Sequence, residues 1–193
     1  RNAVALNYKN WQPGIGTGGL QTDVYDLVNL LNGNRADYLL VGNTAMQFYV
    51  DTRTGHAFHL LLAVSSVESI PDLHITARDD NFLRAHFRQL QLDILLTSNP
   101  LFAYVARHCA SLVSAYDQPI RIASVEGLLL LKLYALPSLY RQGDFTRVGI
   151  YESDISALLY AYPTASPALL RTLTPYLELA DRPEITKILE ELQ

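Results

Sequence analysis

Three polar side chains lie inside apolar segments, where they could act on a ligand. Asp93 is flanked by Leu92 and Ile94, and a carboxylate held on a strand can bind a divalent cation. His59 lies in a second apolar run, and an imidazole can donate a hydrogen bond to a phosphate or bind a metal. Lys132 interrupts a leucine-rich helical pattern and supplies a positive charge for a phosphate. These three residues are candidates for contacts with a ligand.

Residues 38–46 are the segment that best predicts how such a site is built. The apolar residues 38–41 predict a buried strand, Gly42 and Asn43 predict a turn, and the residues that follow predict a short helix. Many α/β folds use a strand, a glycine turn and a helix to present backbone N–H groups to a phosphate. Gly42 and Asn43 are therefore candidates for presenting backbone N–H groups to a phosphate.

The rest of the pattern predicts the elements that position these residues. A helix is expected from Thr22 or Asp23, either of which could cap it, to Leu31. Strands are predicted over residues 37–41, 56–64, 73–77 and 92–96, with a short helix over 43–50, a helix over 101–112 and a hairpin over 112–123. Residues 79–90 fit both a helix and a strand that aligns Arg84, His86 and Arg88 on one face.

The organisation changes at Ser124, which is expected to cap a helix, and only helices are predicted beyond it. The predicted fold class is therefore α/β (α+β), with a mixed sheet flanked by helices and followed by a C-terminal helical subdomain. The predicted divisions are an N-terminal arm over residues 1–20, an α/β domain over 21–123 and the helical subdomain over 124–193. The glycine-rich residues 13–19 are interpreted as a connector.

The order of several segments resembles that of nucleotidyltransferase-fold proteins, a group that includes the toxins of bacterial abortive-infection toxin–antitoxin pairs. The segments are the glycine turn at residues 38–46, the strand around Asp93, the strand and helix at 119–135, and the closing helix at 151–159. The resemblance implies a nucleotidyltransferase-like fold with two acids spaced Asp-x-Asp on one strand and a third acid on a later strand. Asp93 matches the third acid, whereas Ala57 and His59 occupy the first two positions.

This acidic motif is degenerate, because an alanine cannot bind a metal and one carboxylate with one imidazole does not form a binuclear magnesium site. The predicted function is a catalytically degenerate nucleotidyltransferase-like protein that keeps a cleft for a nucleotide, a nucleic-acid end or a protein partner. Asp93 is the remnant catalytic acid, and the nucleotide-binding candidates are Gly42, Asn43, His59 and Lys132. No metal site and no cofactor are expected.

Two alternatives remain open. The first is an active, magnesium-dependent nucleotidyltransferase that uses a nucleoside triphosphate, such as a toxin, in which Asp51, Glu68 or Asp72 joins Asp93. The second is an interaction subunit that forms oligomers through its tyrosine-rich helical part, since tyrosine rings bury area while their hydroxyls stay wet. The tyrosines concerned are Tyr134, Tyr140, Tyr151, Tyr160, Tyr162 and Tyr176.

Composition narrows the remaining function classes. The chain of 193 residues has a net charge of −4, which disfavours binding to nucleic acid by phosphate neutralisation, although a local basic stripe at Arg84, His86 and Arg88 is compatible with nucleic-acid contact. His56 and His59 would point to opposite faces of a strand, which disfavours a zinc pair.

The single cysteine, Cys109, indicates a reducing, cytoplasmic location, and no apolar run is long enough to span a membrane. A first residue other than methionine leaves open whether the chain is part of a longer protein.

Overall fold

The computed structural model describes residues 18–51, 57–115, 118–164 and 166–192. His56 and most of the predicted N-terminal arm lie outside the described residues. The chain divides into two compact units between Ala123 and Ser124. This division falls where the sequence changes from mixed strands and helices to helices alone.

The first unit is built on a seven-stranded mixed sheet with the strand order β3-β4-β5-β2-β1-β7-β6. The pairs β1–β7 and β2–β5 are parallel, and the other neighbouring strands are antiparallel. The strands are β1 (Tyr38–Leu40), β2 (Phe58–Leu62), β3 (Leu73–Arg78), β4 (Phe82–Phe87), β5 (Leu90–Leu96), β6 (Ala110–Ala115) and β7 (Gln118–Ala123). The predicted mixed α/β architecture is confirmed.

Burial along the strands explains their positions in the sheet. Leu60, Leu61 and Leu62 of β2 are all fully buried, as expected for a strand covered on both faces. In β5, the buried Leu92 and Ile94 alternate with less buried residues, so one face of this strand packs in the core. Each fully buried leucine or isoleucine stabilises the fold by about 1.5–3 kcal/mol relative to an exposed one.

Residues 79–90, which fit both a helix and a strand, form β4 and a tight turn. The residues of β4 alternate between half-buried and buried, which places Arg84 and His86 on the less buried face. Arg88 follows the strand with a φ of 54° and lies in the turn to β5, so it is not part of the stripe that the alternation predicted.

Four helices accompany the sheet within the described ranges of this unit: α1 (Gly18–Gly33), α2 (Gly42–Met46), α3 (Val64–Val67) and α4 (Pro100–His108). Because α1 already includes Gly18, neither Thr22 nor Asp23 caps its start, and that prediction is wrong. The Asp23 carboxylate instead accepts hydrogen bonds from the Gln89 backbone N–H at 3.2 Å and from Nη1 of Arg88 at 3.4 Å. It thereby fixes the turn between β4 and β5 to α1.

The second unit contains α5 (Val125–Gln142), α6 (Phe145–Ala161), α7 (Ser166–Leu173), a 3₁₀ turn (Thr174–Tyr176) and α8 (Arg182–Glu191). The predicted cap at Ser124 is confirmed, since its hydroxyl accepts a hydrogen bond from the Gly127 backbone N–H at 3.3 Å. Gly143, with a φ of 69°, ends α5 in the left-handed conformation that glycine adopts readily. In the part of the chain that the structure describes, no helix is both long and apolar enough to cross a membrane.

Candidate functional site

Strand pairing places His59, Asp93 and Arg84 in one row across three neighbouring strands. The parallel pairing of β2 with β5 sets His59 opposite Asp93, and the antiparallel pairing of β5 with β4 sets Asp93 opposite Arg84. Each of the three is half-buried and lies between two buried residues of its strand. The sequence predicted His59 and Asp93 as candidates from different segments, and the structure brings them together.

Arg84 binds both carboxylate oxygens of Asp93. Its Nε donates to Oδ1 at 2.7 Å, and its Nη2 donates to Oδ2 at 3.1 Å. This two-point geometry is the strong form of a charge-assisted hydrogen bond. Hydrogen bonding to Asp93, together with the attraction of its negative charge, raises the pKa of the Arg84 guanidinium above its usual range. The guanidinium therefore stays charged, and Asp93 has a permanent cation beside it.

His59 approaches the same carboxylate from the opposite side of the row. Its Nε2 lies 3.6 Å from Oδ2 of Asp93, and a third of its side chain is exposed. Asp93 is more enclosed, with 13% of its side chain exposed, while Arg84 is 42% exposed. The acid is thus covered by two nitrogen-bearing side chains that are themselves accessible from solvent.

Gly42 packs directly against the imidazole of His59. A Cβ atom built on Gly42 would lie 2.9 Å from Cγ and 3.0 Å from Nδ1 of His59. The φ of Gly42 is 63°, a conformation that side chains with a Cβ rarely adopt. Steric space and backbone conformation both require glycine here. Asn43, the other predicted turn residue, is half-buried as the second residue of the five-residue helix α2.

Lys132 belongs to the second unit and has a different environment. Its Nζ donates to Oδ2 of Asp154 at 2.8 Å, and it also lies 4.6 Å from the centre of the Tyr151 ring. The side chains of Lys132 and Asp154 are 7% and 5% exposed. The ion pair joins α5 to α6 inside the helical unit. A phosphate-binding role for Lys132 stays a prediction.

The side chains at the acidic positions of the fold do not fit a magnesium site. Ala57 offers no ligand, and Asp93 already has a guanidinium on both oxygens, whereas magnesium prefers several oxygen ligands in octahedral geometry. Within the described ranges, no group of three or more His, Cys, Asp or Glu side chains could hold a metal ion. The alternative acids Asp51, Glu68 and Asp72 are exposed.

Sequence reasoning missed the pairing of Arg84 with Asp93 because the conformation of residues 79–90 was undecided. The alternation of apolar and polar residues over residues 79–90 was the signal that could have indicated it, because it predicts a strand with Arg84 and His86 on one face. Beside the row, His86 lies opposite both His74 of β3 and Gln91 of β5. The register therefore places one acid, one arginine and three histidines on the same face of four strands, β2 to β5.

Comparison with known proteins identifies the fold. No family model matches the sequence, and no curated protein does. Among solved structures, an antigenic nucleotidyltransferase-like protein from Paracoccidioides brasiliensis superposes with a TM-score of 0.54 at 17% identity, over 91% of this chain and 94% of that one.

The antibiotic-resistance factor ANT(2'')-Ia also matches. Its solution structure has a TM-score of 0.60 at 9% identity, over 92% of this chain and all of that one (100%). Its crystal structure with adenylyl-2''-tobramycin has a TM-score of 0.59 at 10% identity, over 80% of this chain and 95% of that one. The chain therefore has a nucleotidyltransferase-like fold, as the resemblance of its sequence segments implied. At these identities the likeness concerns the fold.

Proposed function

We propose that this chain is a catalytically degenerate nucleotidyltransferase-like protein that keeps a ligand cleft beside Gly42, Asn43 and His59. The occupant of the cleft is a nucleotide, a nucleic-acid end or a protein partner. The observation that carries the proposal is the two-point contact of Arg84 with Asp93. The guanidinium of Arg84 thus contacts both oxygens of Asp93, the carboxylate that, by resemblance, would bind the catalytic metal.

The energetics of this contact support the loss of metal-dependent transfer. Two-metal catalysis needs carboxylates that converge on the cations and hold them about 3.5–4 Å apart. Asp93 would have to release Arg84 before it could bind a cation, and this costs about 1 kcal/mol because the arginine side chain is 42% exposed. No second acid is available at Ala57 or His59 to complete a metal site. The cost of releasing Arg84 and the missing acids together disfavour magnesium binding.

The test of this proposal is a transfer assay. The native chain, Asp93→Ala and the control Asp80→Ala, an exposed acid of the same unit, are incubated with labelled nucleoside triphosphates, magnesium or manganese, and total RNA and protein. We expect no transferred label with any of the three. Label that appears with the native and control chains but disappears in Asp93→Ala would establish the active enzyme instead.

A gain-of-function experiment tests the physical reason directly. The substitutions Ala57→Asp and His59→Asp restore the Asp-x-Asp spacing, and Arg84→Gln releases Asp93. We expect the triple variant to bind magnesium in calorimetry, the native chain not to bind it, and the variant that keeps Arg84 to bind it more weakly than the triple variant. Equal binding with and without Arg84 would show that the guanidinium does not block the site.

A second candidate function, an interaction subunit, is favoured by exposed apolar side chains on the helical unit. Tyr160, Leu179 and Phe145 are 92%, 77% and 68% exposed. Tyr160 is one of the tyrosines named above, and a tyrosine ring left in solvent can supply apolar area to a protein interface while its hydroxyl stays wet. Sedimentation of the native chain and of Tyr160→Ser tests this: self-association that is lost in the variant supports it, and a monomer at all concentrations contradicts association between copies.

A further inference from the structure

We propose that the face of β2 to β5 that carries Asp93 and Arg84 binds a polyphosphate group directly, without a divalent cation. The proposal rests on the proposed function, because it names the ligand class of the same cleft. The polyphosphate-binding face is defined here by Arg84, His86, His74 and His59. Free polyphosphates and the triphosphate of a nucleotide share the chemistry that this face recognises.

The balance of charge on this face favours an anion. An acidic site needs magnesium to hold a polyphosphate, since carboxylates and phosphates repel each other. Here Asp93 is the single acid that the four strands place on the face, and Arg84 neutralises it. The three histidines add ring nitrogens that can donate to phosphate oxygens. A polyphosphate therefore meets no net negative charge.

Arg84 keeps hydrogen-bond donors for a ligand. A guanidinium has five N–H groups, and Asp93 accepts from two of them. The other three have no acceptor among the residues that the structure describes, and 42% of the side chain is exposed. Because Asp93 fixes the plane of the guanidinium, less side-chain entropy is lost when a phosphate binds to the remaining donors.

The histidines extend the donors over a distance that suits several linked phosphates. Arg84 and His86 are two residues apart on one strand, which separates their Cα atoms by about 7 Å. His74 lies directly opposite His86, at a Cα distance of about 5 Å. His59 lies on the other side of Asp93. Donors at these intervals along one face favour a polyphosphate over a single phosphate group.

A long nucleic acid is the less favoured ligand. The whole chain carries a net charge of −4, and binding by phosphate neutralisation requires a basic surface that extends along the strand. The polyphosphate-binding face is local, with one arginine. Single-stranded RNA is accordingly included in the test as a competitor.

Calorimetry with sodium tripolyphosphate, and separately with ATP, tests the proposal, each in excess EDTA and then in magnesium. The key variant is Arg84→Gln/Asp93→Asn, which replaces the ion pair by a neutral pair and so leaves no unpaired carboxylate. The second variant, His86→Gln, leaves both Arg84 and Asp93 in place. Arg171→Gln, an exposed arginine of α7, is the matched control. Thermal melting of every variant checks that it is folded.

We expect binding in EDTA that falls about tenfold in Arg84→Gln/Asp93→Asn and about threefold in His86→Gln, with no change in Arg171→Gln. Tighter binding of ATP than of tripolyphosphate would assign the ligand to nucleotides, and equal binding would assign it to the polyphosphate alone. A requirement for magnesium, undiminished binding in the double variant, or binding of RNA without binding of either polyphosphate would overturn the proposal. Transferred label in the assay above together with metal-free binding here would reject degeneracy and leave this site standing.

Discussion

Two ion pairs of similar chemistry lie in different surroundings in the two units. Arg84 and Asp93 of the first unit are partly open to solvent, whereas Lys132 and Asp154 of the second are nearly enclosed. In both, a cation donates at short range to a carboxylate. The comparison indicates that chemical type alone does not identify a ligand-binding residue, because the exposure of the pair decides whether a ligand can reach it.

Exposure also decides what each pair contributes to stability. When one residue of an enclosed pair is replaced by an apolar residue, the charge of the other stays buried away from water, which is energetically costly. A half-exposed pair is screened by water and salt, so its loss is tolerated. We therefore expect the Lys132–Asp154 pair to contribute mainly to the free energy of unfolding, and the Arg84–Asp93 pair to contribute mainly to ligand binding.

The largest effect is predicted for Lys132→Met. Removal of the cation leaves Asp154 buried without its ammonium partner, which should lower the free energy of unfolding by about 3–5 kcal/mol. Urea denaturation followed by circular dichroism measures it. In Lys132→Met/Asp154→Leu both charges are absent, and most of the stability should return. A loss below about 1 kcal/mol in the single variant would show that water reaches the pair.

An intermediate effect is predicted for Gly42→Ala, with Gly143→Ala as its control in the second unit. Both glycines have positive φ, but a Cβ on Gly143 would contact nothing within 4 Å, whereas one on Gly42 would collide with His59. We expect a loss of about 1 kcal/mol for Gly143→Ala and of at least about 2 kcal/mol for Gly42→Ala. Equal losses, measured by the same denaturation, would mean that His59 moves aside without cost.

The smallest effect on stability is predicted for Arg84→Gln. Because the guanidinium is 42% exposed, its loss should cost about 1 kcal/mol at low salt and less at about 0.5 M salt, where screening weakens the native pair. The cost of Lys132→Met should not change with salt. Denaturation of both variants at the two salt concentrations measures this contrast, and a large, salt-independent cost for Arg84→Gln would place the open pair in the same class as the enclosed one.

The features predictable from sequence were those set by local pattern. The apolar run of β2, the glycine at the end of β1 and the hydroxyl cap at Ser124 each follow from residues next to one another, and all three were found in the structure. The positions of His59 and Asp93 were also predicted, through the resemblance of their strands to one superfamily.

Features set by pairing between segments were missed. The contact of Arg84 with Asp93 depends on the register across the turn at Arg88, and no side-chain pattern specified that register. Lys132 and Asp154 are 22 residues apart on two helices, so their contact depends on how α5 and α6 are aligned. The helical conformation of Gly18 and Gly19 in α1 was missed because glycine is a poor helix former and favours a loop assignment.

The two edges of the sheet differ in a way that affects aggregation during refolding. On one edge, the register of β3 with β4 shifts between Ile75 and Ala77, and such a bulge interrupts the row of backbone groups that an incoming strand would need. On the other edge, β6 pairs with β7 without a shift and carries Leu112, which is 69% exposed. Misassembly of partly unfolded chains should therefore start at β6, where a solubilising lysine in place of Leu112 would suppress it.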